Sequence, residues 1–200
     1  MGGKRKNRLR QGVGINDADY NTSDCPYMRR WGAMLQRCYS ESYHKRKPSY
    51  RDCYVCKEWL TFSNFKSWME KQDWEDNQLD KDFLGDGKLY SPNTCCFIPA
   101  KVNSYLALTK TDKSQPIGVT FQKGRYISQF SDGEGNVIYK GSYSTALEAH
   151  REWQVSKVIL GAELSFICKD KRVLDKVKDV MTTILHDYLL KQETKRSTFL

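Results

Sequence analysis

Between residues 116 and 161 the spacing of apolar side chains switches period, and this switch limits the fold more than any other feature of the chain. Three runs, residues 117–124, 125–132 and 136–143, alternate apolar with polar positions between Gly or Asp turns. Alternation sends successive side chains to opposite faces, so each run reads as a half-buried strand. From Ser144 the period becomes helical, in "STALEAHREWQVSKVILG". Ser144 or Thr145 is the expected N-cap, and Glu148 is placed for a capping box. Three strands and a helix make one small module, expected over residues 116–165.

The preceding chain has a different pattern. Tyr27, Trp31, Met34, Leu35 and Cys38 recur at helical spacing, then "YHKRKPSY" forms a basic loop around Pro48. Val55, Trp59, Phe62, Phe65, Trp68 and Met69 predict a second amphipathic helix, with Ser63 as a cap within it. Next come a strand "QLDKDFL", a turn "GDGK", a strand "KLYS" and a helix "AKVNSYLAL" after Pro99. This hairpin and helix are too small to stand alone and must pack on the helices before them. The chain should end in an amphipathic helix with Val173, Leu174, Val177, Val180, Met181, Ile184, Leu185, Tyr188 and Leu189 on its apolar face. That face closes on the protein's own core or meets a second copy, so both monomer and homodimer fit. The expected class is α+β. Residues 1–24 read as a basic flexible arm, 25–110 as a first domain, 111–115 as a linker, 116–165 as the strand module, and 166–200 as the terminal helix and tail.

With 200 residues, a net charge of +9 and a pI of about 9.1, the chain suits a polyanionic partner. The basic start "MGGKRKNRLRQG" has no apolar run behind it, and no stretch is long enough to span a bilayer. The expectation is therefore an intracellular protein without a membrane partner. Lys4, Arg5, Lys6, Arg8 and Arg10 suit contacts to phosphates or a plain solvated tail. Seven cysteines in that setting favour free thiols. Cys53-x-x-Cys56 with Cys38 and Cys95 offers a zinc site, but there is no second CxxC.

Residues 78–106 carry the chemistry. Mg²⁺ prefers oxygen ligands, keeps several waters, and often takes one or two protein carboxylates plus a phosphate. Asp80 on a strand and Asn103 on the following helix suit such an ion, or Mn²⁺, with a scissile phosphate completing its shell. Asn93 suits bracing of the loop.

The run "LDKD…YSPNTCCFIPAKVN" resembles the HNH (His-Me finger, ββα-metal) motif of phage homing endonucleases. The resemblance implies Asp80 as a metal ligand, Asn93 as the structural Asn and Asn103 as the helix ligand. Lys81 stands where the family has its general-base His. A protonated amine takes no proton from water, so Lys81 serves as a base only if its pKa is lowered. Asp82, Tyr90 and His44 are the other candidates for the base. The module over 116–160 resembles the Apetala-type (ethylene-response-factor) DNA-binding domain, on its opening Gly-Val, three strands, "GSYSTALEA", Ala149 and Trp153. That likeness implies a sheet lying in the major groove. Its exposed-face candidates are Gln122, Lys123, Arg125, Tyr126, Gln129, Lys140 and Tyr143. The leading expectation is a metal-dependent endonuclease acting on double-stranded DNA in a phage-infected bacterial cytoplasm. The alternatives are a non-catalytic DNA-binding protein on a degenerate HNH fold, and an RNA-binding protein that needs only the charge. Asp80 and Asp82 as ordinary turn acids, with Asn93 as a loop cap, remain the plain structural reading. His150 and His186 are expected to be structural.

Overall fold

The computed structural model describes residues 9–107 and 114–199. Lys4, Arg5, Lys6 and Arg8, with most of the expected linker, lie outside them. The chain forms two compact units, Met1–Phe97 and Ile98–Leu200, and is α+β.

The first unit is built on tryptophans and phenylalanines from two α-helices and a 3-10 turn. Helix α1 spans Pro26–Tyr39 and α2 Glu41–Arg46. A 3-10 turn at Pro48–Tyr50 leads to strand β1, Tyr54–Val55. A second 3-10 turn, Lys57–Leu60, precedes α3, Phe62–Met69. Trp31, Met34 and Leu35 of α1 pack with Trp59, Phe62, Phe65 and Met69. The Trp31 indole donates to the Trp59 carbonyl (2.7 Å), which gives a buried polar atom its partner. The single long helix expected over Val55–Met69 is therefore split. Tyr54 and Val55 instead pair in parallel with Leu89 and Tyr90, and the Tyr54 and Cys56 amides bond the Lys88 and Tyr90 carbonyls.

The stretch read as a flexible arm to residue 24 is tied down from Arg10 onward. Arg10 bridges to Gly14, and Ile15 exchanges backbone bonds with Leu60 and Phe62. Asp17 then caps α3 from 46 residues away, accepting from the Ser63 amide (2.9 Å) and hydroxyl (2.6 Å). So Ser63 receives the cap rather than supplying it.

Three further strands complete this part of the chain: β2, Gln78–Asp80; β3, Leu89–Tyr90; and β4, Cys96–Ile98. The expected hairpin of β2 with β3 does not form. β2 pairs with β4, and β3 pairs with β1. Residues 81–95 thus make one long loop between paired strands, pinned midway by the β1–β3 bridge.

The second unit starts with α4, Ala100–Leu106. An antiparallel sheet follows in the order β5 (Val119–Gln122), β6 (Arg125–Ser131), β7 (Val137–Tyr143). Helix α5, Ala146–Ile167, opens with the capping box: the Glu148 amide donates to Thr145 Oγ1 and the Thr145 amide to Glu148 Oε2. It covers one sheet face with Ala149 and Trp153. Gly118, at φ +77°, lies directly under the Trp153 ring, where a Cβ would come within 2.1 Å of Cδ1. Helix α6, Lys171–Leu189, buries Val173, Val177, Val180 and Ile184, so its stripe closes within this unit, while Leu185 and Leu189 stay exposed. His150 is a core residue: one ring nitrogen lies 2.8 Å from the Ile117 carbonyl, and the other accepts from the Thr194 amide (3.0 Å).

Candidate functional site

Asp80 ends β2, and the chain turns back over its carboxylate. Oδ1 accepts from the amides of Asp82 (2.8 Å) and Phe83 (3.2 Å). Both of these bonds fall on Oδ1, which leaves Oδ2 for another partner. Asp80 is buried, and burial raises its pKa, against the amide bonds and the Lys81 charge that lower it. A divalent cation on Oδ2 would reverse that penalty. One carboxylate of this kind fits a Mg²⁺ ion that keeps water and phosphate in its shell. Asn103 is half-buried on α4, in the second unit.

Lys81 is buried as well, and its ammonium has defined partners. Nζ donates to Asp82 Oδ1 and to the Gly87 carbonyl (both 2.5 Å). It lies 5.2 Å from the Tyr50 ring centre and 5.7 Å from that of Tyr90. Burial pulls its pKa down, but the bond and charge of Asp82, with Cys53 and Tyr50, outweigh burial and leave it above the ordinary lysine value. A base at Lys81 needs a lowered pKa, and its bonds to Asp82 and Gly87 favour the cation instead. Among the alternatives, Tyr90 is buried, and burial pushes its pKa up despite Arg37 beside it. His44 has Nε2 2.8 Å from the Arg37 carbonyl; a carbonyl only accepts, so Nε2 carries the proton. Asp82 is half exposed and paired with Lys81.

Asn93 is exposed in the turn after β3. Around it, Thr94 Oγ1 donates to the Leu89 carbonyl (2.6 Å) and accepts from the Ser91 amide (3.1 Å). Sequence reasoning missed Arg37 and Tyr50, which reach this turn from α1 and the 3-10 turn. They stand more than 30 residues from Lys81, and no local spacing links them.

All seven cysteines are free. Cys38 and Cys95 are buried thiols, each pushed up to about 12 by desolvation. At that value both thiols are neutral at physiological pH. Among the described residues no group of three or more His, Cys, Asp or Glu side chains is placed to hold a metal.

In the second unit, strand register assigns each candidate to a face. Gln122 pairs with Arg125, Ile127 with Ser142, and Gln129 with Tyr139. Their common parity places Gln122, Arg125, Gln129, Tyr139 and Ser142 on the face opposite α5. No carboxylate shares that face within the strands. Arg125 lies across it, bonding Ser142 Oγ (3.3 Å), the Ser142 carbonyl (3.0 Å) and Ser144 Oγ (3.3 Å). All three partners are neutral, so the charge is positioned without being cancelled.

Two exposed-face expectations are corrected. Tyr126 and Tyr143 pair with each other in phase with Val119 and buried Ser128, on the α5 side of the sheet. Lys123 occupies the β5–β6 turn, at φ 49°. Lys140 is the extra residue at a bulge opposite Ser128 and Gln129, with Nζ 6.0 Å from the Phe130 ring centre. The same bulge brings Tyr139, 62 % exposed, onto the open face. Tyr139 was not among the expected residues, and the bulge is what puts it on the same face as Ser142.

No family model, no curated protein and no solved structure matches this chain. Among the described residues no helix is long and apolar enough to cross a membrane.

Proposed function

We propose that this protein binds duplex DNA through the open face of the β5–β6–β7 sheet and hydrolyses a phosphodiester with a metal at Asp80, in the manner of an HNH homing endonuclease. The observation that carries the binding half is the Arg125 face. A guanidinium held by neutral partners, flanked by Gln122 and Gln129 and free of strand carboxylates, presents the donor and acceptor types that read base edges and phosphates. The cleavage half rests on the chain order β2, loop, β4, α4 with an Asp ending the first strand. When bound, Mg²⁺ supplies a Lewis acid for the phosphate and its leaving oxygen. Asp80 offers the ion a carboxylate oxygen, and Lys81 holds positive charge beside it. Water is the nucleophile, and its proton leaves to solvent or to Asp82.

One observation favours a second reading, a DNA-binding protein without cleavage. Lys81 donates to Asp82 and Gly87, and these bonds with its raised pKa favour the ammonium over the free amine a base needs. Incubation with supercoiled plasmid and linear duplexes in Mg²⁺, Mn²⁺ or EDTA separates the two. Metal-dependent nicks that vanish in Asp80→Ala support the nuclease. Salt-sensitive duplex binding without cleavage under any divalent ion supports the second reading. Preference for single-stranded RNA defeats both.

A further inference from the structure

The first unit carries a basic surface that neither the sheet nor the Asp80 turn explains. Within seven residues, Lys45, Arg46, Lys47 and Arg51 are all exposed. Among the described residues no carboxylate pairs with any of the four, whereas Lys66, Lys81, Lys101 and Arg172 each have one. The backbone beneath them is fixed. Ser40 caps α2 by accepting from the Tyr43 amide, and the Lys47 amide closes the helix on the Tyr43 carbonyl. His44 bonds the Arg37 carbonyl, tying α2 back to α1. Tyr43 meets Tyr50 edge to face at 5.6 Å, and the Arg46 guanidinium lies 5.6 Å from the Tyr43 ring centre.

Tyr50 links this surface to the Asp80 turn. Its ring centre lies 6.0 Å from the Arg37 guanidinium carbon and 5.2 Å from Lys81 Nζ. Lys81 in turn holds Asp82 and Gly87. A chain of touching groups thus runs from the exposed cations to the loop that carries Asp80, all inside one compact unit. Unpaired cations on a fixed backbone neutralise phosphates without ordering a loop, and most protein–DNA hydrogen bonds go to phosphate and sugar rather than to base edges.

We propose that residues 45–51 form a phosphate-backbone clamp of the first unit, which grips duplex DNA without regard to sequence and sets the strand beside the Asp80 turn. The inference rests on the duplex-DNA reading above, and adds a contact surface separate from the sheet. Its mark is electrostatic: counterions are released when the cations meet phosphates, and binding loses salt dependence when the cations are removed.

The test compares the full-length protein with Lys45→Ala/Lys47→Ala/Arg51→Ala and with the charge-keeping Lys45→Arg/Lys47→Arg/Arg51→Lys. All three positions are exposed, so the fold persists, checked by circular dichroism. Affinity for a preferred duplex and a scrambled duplex is titrated from 50 to 300 mM salt. The alanine variant should lower the salt slope by up to about 2.7, from about 0.9 per phosphate contact, and weaken both duplexes by a similar factor, on the order of 100-fold near 0.15 M salt. The charge-keeping variant should match wild type. Arg125→Ala runs in parallel and should weaken the preferred duplex more than the scrambled one. An unchanged slope in the alanine variant, with wild-type binding intact, overturns the clamp and leaves the sheet reading standing. Loss on one duplex only overturns its sequence-blind character. A wild type that ignores duplex DNA yet binds phosphatidylserine vesicles overturns the clamp together with the DNA reading.

Discussion

Lys157 should make the stability of the second unit rise with pH across a range where most proteins are flat. It sits on α5, 7 % exposed, with Nζ donating to the Tyr105 carbonyl (2.7 Å) and lying 4.2 Å from the Tyr105 ring centre and 5.4 Å from that of Phe199. Desolvation lowers its pKa to about 7. Above that pH the native amine is neutral, while an unfolded lysine keeps its proton up to about 10.4. The unfolded state therefore binds more protons, and stability climbs with pH over that interval, by at most about 1.4 kcal/mol per unit. From pH 7 to 9 the gain is roughly 2–3 kcal/mol. The Tyr105 carbonyl and ring favour the ammonium and set this as the upper bound. Lys157→Met keeps the apolar stem and deletes the titration. Unfolding by guanidinium, followed by helical circular dichroism at pH 7, 8 and 9, should show the wild type gaining on the variant by that amount. Parallel profiles for the two proteins would refute the argument: the lysine would then keep its proton inside the core.

Four further outcomes are expected. His150 donates to one carbonyl and accepts one amide, and burial lowers its pKa, so the unfolded state binds the extra proton below about pH 6.5 and stability falls with acid there; His150→Gln should flatten that limb in thermal melts. Gly118→Ala combines a left-handed φ with a Cβ placed inside the Trp153 ring, and should cost on the order of 3 kcal/mol or leave the unit unfolded by circular dichroism. Asp17→Ala removes both bonds to Ser63 and should cost about 1 kcal/mol of unfolding free energy in denaturant titration, with Asp17→Asn losing less. Lys81→Arg should keep much of any nicking activity if the residue is a fixed cation, whereas Lys81→Ala alone losing activity with a pH-dependent wild-type rate would restore it as a base.

Local rules were enough for the strands and the start of α5 in the second unit. Alternation over 117–143 gave three strands in their observed order, and Thr145 with Glu148 marked the start of α5, because both signals act within a few residues. The helical stripes of α1 and α6 were equally legible. Where partners are distant in sequence, local pattern failed. Tyr54 and Val55 carry apolar spacing that suits a helix, but pairing with Leu89 and Tyr90 made them a strand. β2 pairs with β4 rather than with its nearer neighbour β3, which pairs with β1, and no local pattern carries that choice. The bulge opposite Ser128 and Gln129 put Tyr139 on the open face, while register put Tyr126 and Tyr143 on the other. Asp80 was visible as a carboxylate on a strand, and the structure ends that strand at it. The partners and charge of Lys81 were not, because Tyr50, Tyr90 and Gly87 reach it only through tertiary packing. Sequence determined which residue types this protein has to use. Burial and long-range hydrogen bonds decided which of them share a face, and which proton each one keeps.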